Sequence, residues 1–459
     1  MQSNACICFI LLQYSWLKHH HLPCNCHLSE RSSCISCKGL LRSLKVVDVY
    51  CQKWQLSINS EKTKIIVFNK RSVDFSFSLG GKPLERIDSY NYLGIRISKS
   101  GSFIPAIKDL FDKALRAYHS IVSSFRNITM NPKIFMRLYD SLVKPISIYA
   151  CEIWAAFGHK PNMVTDIISL LYENYKTPFE QLHLRCCKKA LSVSRRTSNF
   201  GSLAELGRLP VIYNILIAVC KYRVRLNSMP EDSLLVHALN SQAQLSHNSN
   251  KTSTYSDFTA NLFKQLKLKI PSCKQSDSQH CFDSAIKTSL IHKFKQHYHV
   301  LLNRLKNNSE SKLQMYARLK GELSFEGYLL DNPAAHFITK FRLSDHNLPV
   351  ERGRYLKPKL LREFRTCTLC HSGVGDECHV LFNCSHPDLR KLRRESLSMI
   401  QNISIQFSNL SPVERTYYLL NCVDRDLIYP TSCWIKHICV LFRQNSLWLD
   451  KEFRSESLS

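Results

Sequence analysis

The chain has no apolar run long enough to cross a membrane, no disulfide framework and few acids. Its one early apolar stretch, Ala5 to Leu17, is short of the roughly 20 residues a spanning helix needs. No basic residue precedes it, so it reads as a poor signal peptide. The 20 cysteines sit mostly alone among apolar residues, as Cys151 and Cys220 do, and the adjacent pair Cys186-Cys187 builds no framework. That is the usage of a reducing compartment, so an intracellular protein of the nucleus or cytoplasm is expected, with no membrane partner. Sequons such as Asn127-Ile-Thr129 are then expected to go unused. The shortage of acids is the strongest signal. There are 36 Asp plus Glu against 63 Lys plus Arg, a net charge of +27. A surplus this large, spread along the chain, points to a phosphate-rich partner, RNA or DNA, held with salt-sensitive affinity.

What is present begins with size. At 459 residues, 44% of them hydrophobic, the chain has room for two to four domains and a sizeable core. One stretch carries ligand chemistry: Cys367-Thr-Leu-Cys370, His379 and Cys384. The pattern C-x2-C-x8-H-x4-C can fill a closed tetrahedral Zn²⁺ shell with three thiolates and one imidazole, so the expected cofactor is a structural zinc ion. Gly373 and Gly375 lie in the intervening loop, where positive φ is expected. His371, Cys378 and His386 could substitute as ligands, and spacing does not choose among them.

Read in order, residues 1–44 have no clear period and are left unassigned, as a disordered or non-native segment. Val46, Val47, Tyr50 and Trp54 place a helix ending near Gln55, with Trp54 expected in the core. Lys64 to Phe68 reads as a buried strand. Val73, Phe75, Phe77 and Leu79 alternate, Gly80-Gly81 turns, and Leu84 to Ile87 returns as a hairpin. Tyr90 to Ile97 is a further strand. The expected result for 45–100 is a helix on a small antiparallel sheet. Residues 101–240 read as helices: a stripe from Ile104 to Phe125, a start at Asn131-Pro132 with a break at Pro145, a helix over Ile167 to Leu191, and another over Ile212 to Leu226. Polar residues mark 241–257 as a linker. Residues 258–360 hold a long basic helix through Ile286, Leu290 and Phe294, and a shorter one near Lys312 to Lys320. The finger occupies 361–400 and a helical tail 401–459. The expected fold class is α+β, helix-dominated after residue 100.

Several of these stretches resemble non-LTR (LINE-type) retrotransposon reverse transcriptases. Trp54-Gln-Leu56-Ser-Ile58-Asn59-Ser-Glu-Lys62-Thr63-Lys64, followed by Tyr90-Asn-Tyr92-Leu93-Gly94-Ile95, is similar to the family's late palm and primer grip. The helices from Phe103 to Trp154 resemble its thumb. Glu205-Leu-Gly-Arg208-Leu-Pro210 and Arg342-Leu-Ser-Asp-His346 through Tyr355 resemble elements leading to its C-terminal Cys-Cys-His-Cys finger. The resemblance runs from about Leu41 to about residue 400. It implies RNA-directed DNA polymerase ancestry, with Asn59, Tyr92, Leu93 and Gly94 near a primer and Arg195, Arg196, Arg390, Arg393 and Arg394 as phosphate contacts. Tyr92 and Leu93 read equally well as sheet core.

The chemistry is where the sequence departs from that family. Two-metal nucleotidyl transfer needs paired carboxylates to hold its Mg²⁺ ions, and the family supplies them from an Asp-Asp hairpin. No Asp-Asp dipeptide occurs in this chain. Ser29 to Cys37 stands where the hairpin is due, and the family's fingers and early palm have no counterpart. Lys62 matches a lysine implied to protonate departing pyrophosphate. Without metals it has nothing to catalyse and reads as a solvated lysine at a strand start. The expectation is a truncated, catalytically silent reverse-transcriptase-like protein that binds nucleic acid. The alternatives are the C-terminal half of an active polymerase, with Mg²⁺ returning only with the palm, and a zinc-containing helical protein-interaction module.

Overall fold

The computed structural model describes residues 41, 44–59, 61–67, 76–126, 130–155, 176–248, 254–269, 276–330, 335–401, 406–422 and 424–456. The expectations for residues 1–40, for Phe68, Val73 and Phe75, and for the start of the Ile167 helix lie outside the described residues. The fold is α+β, mostly helix with a few short strands. It divides into two units. The first comprises 1–113, 149–167 and 218–279, and the second 114–148, 168–217 and 280–459.

In the first unit, the helix over 44–53 buries Leu44 and Cys51, with Val47 packed against the same cluster. Positions 44, 47 and 51 recur at helical spacing and meet Phe77, Leu79 and Leu84. Val46, Tyr50 and Trp54 fall on the other flank, and Trp54 is 59% exposed, so Trp54 is not core. The expected single antiparallel sheet is instead three two-stranded ribbons. Lys64–Ile65 is only half-buried and pairs in parallel with Glu85–Arg86. The turn expected at Gly80 and Gly81 is present, with φ values of 58° and 73° that meet the demand of a type I′ turn, but the strand that returns against Ser78–Leu79 is Lys82–Pro83 rather than Leu84 to Ile87.

The strand expected over Tyr90 to Ile97 folds back on itself. Ser89–Tyr92 pairs with Ile95–Ser98 about a turn at Leu93 and Gly94, with φ of 47° and 83°. Gly94 takes that conformation without strain, and this overrides the strand propensity around it. Residues 241–248 lie within the Leu234–Asn248 helix. Thr254 and Asp257 make a capping box on the Tyr255–Gln265 helix. The stretch read as a linker is therefore helical at both described ends, with Thr254 and Asp257 starting the second helix.

The second unit is helical. Asn131 caps the Pro132–Leu138 helix as its sequence predicts. The expected break at Pro145 takes a specific form. Tyr139–Val143 widens into a π turn, and a short helix, Lys144–Ser147, carries the proline. Thr177 caps Pro178–Ala190, so the basic Lys188-Lys189 pair ends a shorter helix than expected. Ser276–Asn307 is the long basic helix, buried along Ile286, Leu290, Phe294, Tyr298 and Leu302, a clean i, i+4 stripe.

Two motifs far apart in sequence prove to be each other's partners within this unit. Arg342 donates from Nε to Glu205 Oε1 at 2.7 Å and from a terminal nitrogen to the Leu420 carbonyl at 2.7 Å. Both charged side chains are fully buried. Glu326 meets the same guanidinium at 3.2 Å, and the Tyr328 hydroxyl donates to Glu205 at 2.5 Å. Burial, ahead of the charge of Glu205, raises the Tyr328 pKa well above its ordinary value, which keeps that hydroxyl a donor. Gly207 closes the arrangement at φ 60°, and a Cβ there would lie 2.5 Å from the Phe325 backbone nitrogen. Gly207→Ala is expected to cost about 1–3 kcal/mol from the left-handed backbone alone, read as a lower midpoint in urea unfolding.

Candidate metal centre

The finger is built on close backbone approaches. Thr366 and Val374 form an isolated antiparallel bridge, and Cys367 N donates to the Gly373 carbonyl at 3.0 Å. This tight loop turns the Cys367 and Cys370 thiols to one side. Of the two glycines, Gly373 has positive φ, 67°, and it lies against the His379 ring. Gly375 does not. Its requirement is space, since a Cβ would fall 2.7 Å from Pro349 and 3.0 Å from the Cys367 Cα. His371 supplies the second left-handed residue, at φ 54°.

The other two ligand positions come from a π turn over His379–Asn383. Its wide hydrogen bond, Cys384 N to the His379 carbonyl at 2.7 Å, brings residues five apart toward the same side. Arg393 holds that segment by donating to the carbonyls of Leu381 at 2.6 Å and Cys384 at 2.9 Å.

As a result, one ligand atom each from Cys367, Cys370, His379 and Cys384 lies within 4.8 Å of all the others. The Cys367 and Cys384 sulfurs are 3.8 Å apart. A tetrahedral ion with metal–sulfur bonds of about 2.3 Å has edges of about 3.8 Å. The His379 Nε2 is 3.2 Å from the Cys370 sulfur. Cys367 and Cys384 are fully buried. The donor set therefore fits a metal ion, and it is closed, with no side left for a substrate.

The site's protons tell the same story. Hydrogen bonding to Cys367 raises the His379 pKa against the pull of partial burial, and Cys370 adds to it. Burial pushes Cys384 up to about 12. Cys370 resists its own burial and comes down to about 5 through hydrogen bonding to Ser372, Cys384 and His379. Protons on these sulfur and nitrogen atoms are what a bound cation would displace.

The structure also separates the alternatives that spacing left open. Cys378 accepts from Asn383 at 4.0 Å, His386 faces Asp388 at 3.9 Å, and exposed His371 stands outside the cluster. The remaining candidate residues are dispersed. Asn59 caps a turn, accepting from Lys62 N at 3.0 Å, and Lys62 is exposed, as a solvated lysine would be. Tyr92 and Leu93 are 39% and 73% exposed, so the sheet-core reading does not hold for them. Tyr149 donates to the Leu93 carbonyl at 2.6 Å. Arg390 and Arg394 are exposed on the Pro387–Gln401 helix, while Arg393 is committed to the finger. Arg195 and Arg196 are exposed on the loop after the Pro178–Ala190 helix.

Comparison with known proteins gives one finding. Over 109 residues, 23% of this chain, the sequence is 32% identical to an uncharacterized transposon-derived protein of Caenorhabditis elegans. The chain resembles a transposon-derived protein. It spans 38% of the length of that relative. No family model matches the chain, and no solved structure matches it. Among the described residues no helix is long and apolar enough to cross a membrane.

Proposed function

We propose that this chain is a nucleic-acid-binding portion of a non-LTR retrotransposon reverse transcriptase, carrying a structural zinc finger and no polymerase chemistry of its own. The observation that carries the reading is the convergence of Cys367, Cys370, His379 and Cys384 on one closed four-ligand site. The net charge of +27 and the similarity to a transposon-derived protein support it. Zinc would be held by the three thiolates and the His379 imidazole and would supply folding energy to the finger. The chain's own residues do the rest: Arg393 fixes the last ligand's backbone, and the exposed arginines offer charge to phosphate.

The test combines zinc content, binding and activity in one purified sample. One zinc per chain is expected by atomic absorption. Affinity for labelled RNA and DNA should fall by at least about tenfold between 50 and 200 mM salt, the drop that some three single-strand phosphate contacts produce. Primer extension with Mg²⁺ or Mn²⁺ should be absent. Extension that disappears in Lys62→Ala would overturn the catalytic part of the reading. Salt-insensitive binding to a protein partner, with no RNA or DNA retained, would favour the interaction-module alternative.

A further inference from the structure

A second concave site lies in the helical unit, separate from the four metal ligands. It is a cavity of about 870 Å³ formed where the 192–196 loop, the His336–Arg342 helix, residues 344–356 and the C-terminal helix come together. Its lining includes six cations, Arg195, Arg196, Lys312, Lys340, Arg352 and Arg443. Asp345 and Glu351 are the two carboxylates there, and both serve the wall itself. Asp345 accepts from the Ser194 backbone nitrogen at 2.7 Å and from the Ser194 hydroxyl at 2.5 Å. Glu351 is buried and accepts from Arg354 at 2.8 Å, with Lys312 at 3.6 Å.

The loop that bears Arg195 and Arg196 is held in place. Besides the Asp345 clip, Lys188 donates to the Arg195 carbonyl at 2.9 Å and to Asn199 at 2.7 Å. The two guanidinium groups are exposed on a fixed backbone, which lowers the entropy lost when they engage a ligand. Aromatic faces lie among the cations. Tyr355 is 57% exposed, with Lys312 Nζ 6.0 Å from its ring centre, and Phe337 has Lys340 Nζ 5.3 Å from its own.

We propose that this cavity binds single-stranded nucleic acid, with the phosphates against Arg195, Arg196 and their neighbours and a base on the exposed face of Tyr355. The proposal rests on the nucleic-acid reading above and gives it a location. Cations alone suit any polyanion. A concave wall with an available aromatic ring suits a strand whose bases are free to stack, and paired bases inside a duplex are not.

The test uses the full zinc-loaded chain and fluorescein-labelled oligothymidylate, oligouridylate and a DNA duplex, read by anisotropy. Arg195→Ala/Arg196→Ala alters two exposed side chains and is expected to weaken single-strand binding at least tenfold. It should also reduce the slope of log affinity against log salt by about 1.4, from roughly 0.7 per lost phosphate contact. Tyr355→Ala should cost roughly five- to a hundredfold, as loss of base stacking does, with the salt slope unchanged. Lys133→Ala/Arg137→Ala, exposed cations of the Pro132–Leu138 helix that do not line the cavity, should change binding less than twofold, and Arg390→Ala/Arg394→Ala tests the finger helix as the competing phosphate site. A wild-type chain that binds no oligonucleotide overturns both this site and the nucleic-acid reading. Wild-type binding that survives the cavity variants, or that is lost only with Arg390 and Arg394, overturns the site and leaves the reading intact. Competition by polyglutamate at the same charge concentration as oligothymidylate would also overturn the site, since it would show an undiscriminating basic patch.

Discussion

Glu205→Ala should destabilise the helical unit by about 3–5 kcal/mol, the usual cost of removing one partner of a buried ion pair. The size follows from what remains. Arg342 is fully buried and cannot lose its charge at any accessible pH. Without Glu205 it retains the Leu420 carbonyl at 2.7 Å and Glu326 at 3.2 Å. Glu326 is already claimed by Lys320, so it compensates in part. Tyr328 would lose the acceptor of its hydroxyl and keep only Thr339, at 2.8 Å. The check is urea unfolding followed by the fluorescence of Trp434, a fully buried reporter in the same unit.

Two comparisons make that result specific. Asp140→Ala breaks the Arg208 pair, which is shorter, at 2.5 Å, but is 19% and 32% exposed. Water recovers much of that loss, so about 1 kcal/mol or less is expected. The double variant Glu205→Gln/Arg342→Met removes both charges of the buried pair, leaves Glu326 with Lys320, and should recover part of what Glu205→Ala loses. A Glu205→Ala midpoint within about 1 kcal/mol of wild type would mean that the pair is solvated in the folded protein, and the account of this core would fail.

The pair also shows what could and could not be read from the sequence. The Glu205 and Arg342 motifs were both visible as distinctive local strings, but 137 positions separate them and nothing in either string names the other. Local chemistry was legible wherever one short segment decides the outcome. Asn131-Pro132 caps a helix, Gly80-Gly81 turns a hairpin, and the four ligands within eighteen positions converge. Where distant contacts decide the outcome, the local string misleads. The helix over 44–53 carries two apolar flanks, and only its contact with Phe77, Leu79 and Leu84 selects Leu44 over Trp54. The strand at Tyr90 carried a turn at Leu93-Gly94 that β-propensity hid. The basic cavity draws its cations from positions 195–196, 312, 340, 352 and 443, and no spacing rule gathers those.

The largest effect is expected at the metal centre. Cys367→Ser/Cys370→Ser should reduce bound zinc from one per chain to none and abolish cooperative unfolding of the finger. For zinc-finger peptides the apparent metal-binding free energy at neutral pH is about 10–16 kcal/mol, and it is folding energy. Here that energy would organise the Thr366–Val374 bridge, the π turn and the Arg393 clamp together, since ligands from both sides meet at one ion. Chelation of the wild-type chain should reproduce the variant's spectrum. Cys378→Ser, which alters a thiol outside the cluster, should keep its zinc. The sign of the pH dependence follows from the protons the ion displaces. His379 has its pKa raised by Cys367, and Cys384 is pushed to about 12 by burial. Both hold protons that must leave before they can ligate. Zinc affinity should therefore be greatest at high pH and decline steadily as pH falls through the neutral range, tracked by metal-indicator competition. Retention of stoichiometric zinc by the double serine variant, or an affinity that rises with acid, would exclude Cys367, Cys370, His379 and Cys384 as the ligand set.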